Sequence, residues 1–433
     1  MLKIKKQTLK SGMRVVYVPM PAVKSITTLL LVNTGSRYEE STEQGLAHLL
    51  EHLVFRGTQK YPDSLSLSIA LDGIGASSNA FTAKEYTGFY VTAASLHLEF
   101  CLKMLRELVF FPLIRSEDVE QERAVVIEEI KMHRDSPEDF IADEFEQMVY
   151  QGSSLEHPIS GSIESVSLQT ASSLQKFLNK WYGLENLTLV IAGDKKVLDE
   201  NDLSSKIDTI FNDKNLFGED EGKKIDKRAN HHHERRLGFF KENCFSTKKS
   251  IKRKRDTEQA HLIMGWPALK RDDPQRYVLT VLATVMGGNR SSRLFQTIRE
   301  KANLAYYVFA DVDQYQDAGL LGVSAGLNSK KLEQGIELIK NEFDQLATNK
   351  KPINQEELER AQAYLTGRIT LSLESSRAVA QHYGLSWLLL NRIDEPQDVI
   401  KGIRGVTLDQ LQSLAPKIIK PDELRIAVVS RGK

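Results

Sequence analysis

The chain has 433 residues, enough for two or three domains that each bury their own core. Hydrophobic residues make up 41% and charged residues 27%, the balance of a globular chain in water. Lys+Arg and Asp+Glu both number 58, so the formal charge is zero, which excludes bulk attraction to nucleic acid or to an anionic membrane. Cys101 and Cys244 are the only cysteines, which excludes a disulfide framework and points to a reducing compartment. Apolar runs such as Ile26–Val32 and Leu385–Leu390 are far shorter than the roughly 20 residues that span a bilayer. Met1–Lys6 is charged and is followed by no apolar signal core. The expectation is a cytoplasmic protein with no membrane or nucleic-acid partner.

In chain order, Arg14–Pro19 and Ile26–Thr34 read as strands rich in β-branched residues. Ser41–Arg56 reads as a helix, with Ser41 and Gln44 as a capping box and Gly57 as its stop. Ser64–Leu71 is helical and ends at Gly73 and Gly75, and Asn79–Ala93 alternates like one long strand. Leu96–Phe111 is helical up to Pro112, and Ser116–His133 is a second long helix with acids in its first turn. Thr170–Trp181 is helical and Leu187–Ala192 extended.

The pattern then recurs. Leu174 through Val190 overlays Leu411 through Ala427 without a gap, and Leu29–Thr34 overlays Ala260–Gly265. The expected architecture is α+β: two tandem homologous domains, each a mixed or antiparallel sheet with helices packed on one face. The expected boundaries are residues 1–215, a polar linker over 216–255, and residues 256–433.

The informative stretch is His48-Leu49-Leu50-Glu51-His52. On a helix, residues four apart stand on one face, so the two imidazoles converge and Glu51 lies beside them. Two nitrogens and one further ligand hold a catalytic zinc that keeps a position for water. Its water pKa falls from ~15.7 to roughly 7, and a neighbouring carboxylate then carries the proton. Two histidines and a Glu can also simply line a solvated or core-facing helix surface. The overlay bears on that choice: His48, Glu51 and His52 fall on Leu279, Leu282 and Ala283, so the first copy places polar groups where the second has apolar ones. The third ligand is sought on Ser116–His133, where Val119, Glu122, Val126, Glu129 and Ile130 share a stripe. Glu122 and Glu129 both qualify, while Glu128 points about 100° away.

His-x-x-Glu-His is the inverzincin order, and Glu122-Arg-Ala-Val-Val-Ile-Glu-Glu129 follows it downstream. In both, the chain resembles the pitrilysin-type zinc metallopeptidases, which include mitochondrial processing peptidase and insulin-degrading enzyme. The resemblance implies one Zn2+ per chain held by His48, His52 and Glu129, with Glu51 as general base and Glu122 as an accessory acid. It also implies that Asn79-Ala80-Phe81-Thr82, with Glu85, forms a substrate-binding edge strand contacted at Asn79 and Ala80. In the second copy, Arg299 and Tyr306 match a pair that binds substrate and the oxyanion; the spacing favours Tyr306 over Tyr307. Family members enclose substrate between two halves, and this chain corresponds to one. The expected function is an endopeptidase acting on unfolded peptides in a chamber of two subunits, as a homodimer or a heterodimer with a related chain. The alternative is a non-catalytic scaffold or presenting subunit.

Other features invite blander readings. The basic run Lys248–Arg255 reads as a solvated edge strand, His231-His232-His233 as a polar linker tract, and Cys101 as core.

Overall fold

The computed structural model describes residues 4–200, 202–211, 236, 238–240 and 244–431. Its helices include α1 (Leu46–Leu53), α2 (Ser64–Asp72), α3 (Leu98–Phe110), α4 (Ser116–Asp135), α5 (Pro137–Val149), α6 (Ala171–Trp181), α7 (Arg276–Gly287), α8 (Leu332–Ala347), α9 (Gln355–Ser372), α10 (Ser376–Leu390) and α11 (Leu408–Ile418). The chain forms two compact units. One comprises Met1–Ile130, His157–Phe239 and Ser372–Asp394; the other comprises Lys131–Glu156, Phe240–Leu371 and Glu395–Lys433.

The first unit is built on β1 (Lys5–Thr8), β2 (Arg14–Met20), β3 (Ser25–Val32), β4 (Ser77–Thr82), β5 (Thr87–Ala94) and β6 (Leu187–Asp194). They lie in the order β1-β2-β6-β3-β5-β4. β2 and β6 run parallel and the remaining pairs antiparallel. Successive strand residues face opposite sides. Leu29, Leu31, Val190 and Tyr90 therefore join a core with Val379, Ala380 and Tyr383 of α10. Leu30, Leu189 and Phe89, also buried, face the side where α3 packs on β3 and β5. Burial on both faces explains why these strands read as continuous apolar runs.

The second unit holds β7 (Ser250–Lys254), β8 (Gln259–Pro267), β9 (Ala305–Gln314), β10 (Gly319–Asn328) and β11 (Arg425–Ser430), in the order β7-β11-β8-β10-β9. This repeats β2-β6-β3-β5-β4 strand for strand, with β7 parallel to β11 as β2 is to β6. The repeat seen in the sequence is thus a repeat of topology, and the gapless overlay carries α6 onto α11 and β6 onto β11. One face packs against α7, α8 and α11 around Trp266 and Phe343, whose rings lie 4.6 Å apart. The other face is covered by α5, through Ile141, Phe145 and Val149. Each sheet therefore takes one covering helix from the far half of the sequence.

Three sequence expectations change. Helices cover both faces of each sheet rather than one, because each sheet gains a helix from the far half of the sequence. Asn79–Ala93 is a hairpin, β4 and β5, with a turn at Ala83–Tyr86 closed by an Ala83 N–H to Tyr86 carbonyl bond of 2.8 Å. The helix expected from Ser41 begins only at Leu46, after Gly45 in the left-handed region at φ 87°. The basic run sits on edge strand β7. Its Arg253 pairs with Glu144 at 2.7 Å and its Lys252 with Glu333 at 3.8 Å, so paired acids offset this positive charge. Cys101 is buried in α3. The His231–His233 tract lies outside the described residues. Among the described residues, no helix is long and apolar enough to cross a membrane.

Gly384 lets α10 lie close on the first sheet: a Cβ there would meet Leu31 Cδ1 at 2.7 Å and Val190 Cγ2 at 2.8 Å. Gly384→Val is expected to destabilise the protein by about 1–3 kcal/mol through overpacking. Urea unfolding checks this, and an unchanged midpoint would mean that the helix can back away freely.

Candidate metal centre

α1 and α4 bring the site together. α1 buries Leu46, Ala47, Leu49, Leu50 and Leu53 and leaves His48, Glu51 and His52 on its remaining face. α4 buries Val119, Glu122, Val126 and Ile130, which puts Glu129 beside that stripe and leaves Glu128 exposed. Glu129 Oε2 lies 3.7 Å from His48 Nε2 and 3.6 Å from His52 Nε2. One ligand atom from each of the three residues falls within 4.8 Å of the others. In a tetrahedral zinc site with bonds near 2.1 Å, donors stand roughly 3.3 Å apart. Two nitrogens and one carboxylate oxygen at these separations fit a divalent cation. Among the described residues no other group of His, Cys, Asp and Glu converges in this way.

Glu122 sits behind these three residues. Its Oε2 is 3.2 Å from His52 Nδ1, and its Oε1 is 3.4 Å from Arg56 Nε. With Nδ1 so engaged, Nε2 is the nitrogen presented toward Glu129. The bond to Glu122, and then the charges of Glu129 and Glu51, hold His52 above the usual imidazole range despite its burial.

Glu51 is fixed by β4: the Thr82 hydroxyl donates to its Oε2 at 2.6 Å. Burial raises the Glu51 carboxyl, while Thr82 and His52 oppose the rise. A carboxylate raised toward neutrality is better matched to taking a proton. β4 pairs with β5 and ends the strand order, so Asn79 and Ala80 lie on an edge strand. Asn79 Oδ1 accepts from the Ala80 N–H at 2.9 Å.

The second unit holds the other two expected residues. Arg299 lies on a π-helical segment, Phe295–Lys301, with its guanidinium 5.0 Å over the Phe295 ring. Such widened turns recur at functional sites. Tyr306, at the start of β9, is 73% exposed, whereas the neighbouring Tyr307 hydroxyl is 3.0 Å from His261 Nδ1. Of the two tyrosines, Tyr306 is the accessible one. Arg293, just ahead of the π-helical segment, is buried and pairs with Glu357 of α9 at 2.7 Å, so it braces the fold.

Two supporting residues were not picked out from sequence. Thr82 lay within the quoted edge-strand motif, but its link to Glu51 crosses 31 positions. Glu39 caps α1: its carboxylate accepts from the Gly45 N–H at 2.8 Å and the Ala47 N–H at 2.7 Å. Burial pushes its carboxyl up to about 8, against the pull of those two amides. The cap displaces the expected Ser41 box because the two oxygens of one buried carboxyl group take two orphan amides of the first turn at once.

Residues 14–162 match the family model described as insulinase (peptidase family M16), and residues 169–365 match the one described as peptidase M16 inactive domain. The chain is also 32% identical over 416 residues to an uncharacterized zinc protease of Streptomyces coelicolor, covering 96% of this chain and 87% of that protein. The chain belongs to peptidase family M16. A second M16 relative, an uncharacterized zinc protease of Bacillus subtilis, is 32% identical over 97% of this chain and 96% of its own length. M16 folds recur among solved structures. A protease from Helicobacter pylori superposes with a TM-score of 0.86 at 22% identity, covering 99% of each chain. A peptidase M16 inactive domain from Pseudomonas fluorescens gives 0.83 at 16%, covering 100% of this chain and 99% of that one. The inactive-domain model covers much of the second M16 copy, where buried Leu279, Leu282 and Ala283 stand in the places of His48, Glu51 and His52.

Outer partners of ligating histidines typically govern metal affinity by about 10–100-fold. Glu122→Gln is accordingly expected to weaken zinc binding by at least about tenfold while leaving the fold intact. Competition against a chromophoric chelator measures this, and wild-type affinity would reduce Glu122 to a bystander.

Proposed function

We propose that the chain is a zinc-dependent endopeptidase that hydrolyses unfolded peptides. The observation that carries this reading is the convergence of His48, His52 and Glu129 beside Glu51, whose carboxylate is tied to edge strand β4. The names of the relatives, zinc proteases, support it.

His48, His52 and Glu129 would hold the metal ion. When bound, the ion supplies Lewis acidity, which makes water acidic enough to attack at neutral pH. Glu51 accepts the proton of the attacking water as its oxygen bonds to the scissile carbonyl carbon. Glu51 then delivers that proton to the amine nitrogen as the C–N bond breaks. Thr82 keeps the Glu51 carboxylate aimed, and Glu122 keeps the His52 ring in its ligating orientation. An extended peptide adds to β4 through main-chain hydrogen bonds at Asn79 and Ala80. Extended geometry excludes folded substrates, because their backbone amides are already paired.

Arg299 and Tyr306 are assigned as donors to substrate and to the developing oxyanion. In this reading they serve the zinc site of a second subunit, and the working form is a cytoplasmic homodimer, or a heterodimer with a related chain, enclosing a chamber.

Glu51→Gln is expected to lower kcat on an unstructured fluorogenic peptide by about 10²–10⁴-fold while zinc stoichiometry stays at one. Equal turnover by variant and wild type would remove Glu51 as the base. Chelation should abolish wild-type cleavage, and added zinc should restore it. Wild type that carries no zinc and cleaves nothing would favour the scaffold reading instead.

A further inference from the structure

The segment Gly35-Ser36-Arg37-Tyr38-Glu39 precedes α1 and makes no ligand of its own, yet it grips both parts of the site. On one side it holds the β4–β5 turn. The Ser36 N–H donates to the Ala83 carbonyl at 3.2 Å, and the Arg37 N–H to the Lys84 carbonyl at 2.9 Å. Arg37 Nη1 donates to Glu85 Oε1 at 2.7 Å, with the two side chains 0% and 1% exposed. The approach leaves no room for a side chain at Gly35, where a Cβ would stand 2.0 Å from the Ala83 carbonyl oxygen. On the other side, the Glu39 carboxylate takes the Gly45 and Ala47 amides at the start of α1. Thr82 precedes the gripped turn, and His48 follows the gripped amide.

We infer that Gly35–Glu39 is the positioning element of the site, setting edge strand β4 and metal helix α1 against each other through Arg37–Glu85 and Glu39. The inference rests on the peptidase reading above. An eight-residue helix is marginal alone, and its first turn leaves amides unsatisfied. Glu39 fixes that turn and hence the direction in which His48 and His52 project. Arg37 fixes the turn that follows Thr82, and hence the strand to which substrate adds. The two grips have separate consequences: Glu39 governs the metal and Arg37 governs the peptide.

The test uses the full-length protein and three substitutions. Glu39→Gln keeps the shape but cannot accept from both amides. It is expected to weaken zinc binding by about tenfold, the range set by outer-sphere partners, and to alter the absorption bands of the Co2+-loaded protein. Arg37→Lys keeps the charge but loses the planar fork. It is expected to raise KM for an unstructured peptide several-fold with zinc affinity unchanged. Glu43→Gln, whose carboxylate pairs instead with Lys180 and the Glu40 amide, should leave both quantities as in wild type. Should Glu39→Gln fail to fold, Glu39→Asp, which keeps the carboxyl group but shortens the reach, should show the same loss of zinc affinity. Wild-type zinc affinity and an unchanged Co2+ spectrum in the Glu39 variant would overturn the inference. So would an Arg37 variant that loses thermal stability without any change in KM. Zinc affinity is read without turnover, so wild type that binds zinc but cleaves nothing removes the peptidase reading while the Glu39 variant still decides the positioning of α1.

Discussion

Three donor groups from two helices share one small volume, and much of the first unit is arranged to make that tolerable. The His48 and His52 rings stand edge to face with centroids 4.7 Å apart, and the Glu129 carboxylate points between them. Lone pairs brought together and half-withdrawn from water repel unless a cation or a proton sits among them. The surrounding contacts resist relaxation of this arrangement. Glu122 and Arg56 hold one ring, Thr82 holds the neighbouring carboxylate, and the Glu39 cap holds the start of the helix.

The second copy of the fold shows the same frame without that demand. Strand for strand its sheet repeats the first, but the helix facing it carries Leu279, Leu282 and Ala283, all buried. Those positions contribute apolar contacts with Trp266 and Met286 in a single cluster. One architecture thus carries converging polar side chains in one copy and an ordinary hydrophobic layer in the other. On the helix that carries the histidines, the difference lies in three side chains of one face.

The candidate metal site is legible in the sequence because its signals are local and periodic. Four-residue spacing placed His48 and His52 together, and the apolar stripe of α4 separated Glu129 from Glu128. The repeat was legible through the gapless α6–β6 and α11–β11 overlay. What stayed hidden depended on distant partners. Nothing beside Glu39 marks it as a helix cap, since its two amides lie six and eight residues on and are reached by a loop. The long alternation from Asn79 concealed a hairpin because its turn, Ala83-Lys84-Glu85-Tyr86, holds no Gly, Pro or Asn to mark it. Which half supplies the helix over each sheet has no local signal either, because nothing in the sequence of α5 or α10 announces its target.

That last feature bears on how the chain is made. The face of the first sheet built from Leu29, Leu31 and Val190 is closed by Val379, Ala380 and Tyr383, nearly two hundred residues after β6. During synthesis this sheet waits with a bare apolar surface while most of the remaining polypeptide is still being translated. Maturation of the first unit therefore cannot proceed strictly from the amino end, and a chain released before α10 emerges is a natural client for chaperones and quality-control proteolysis.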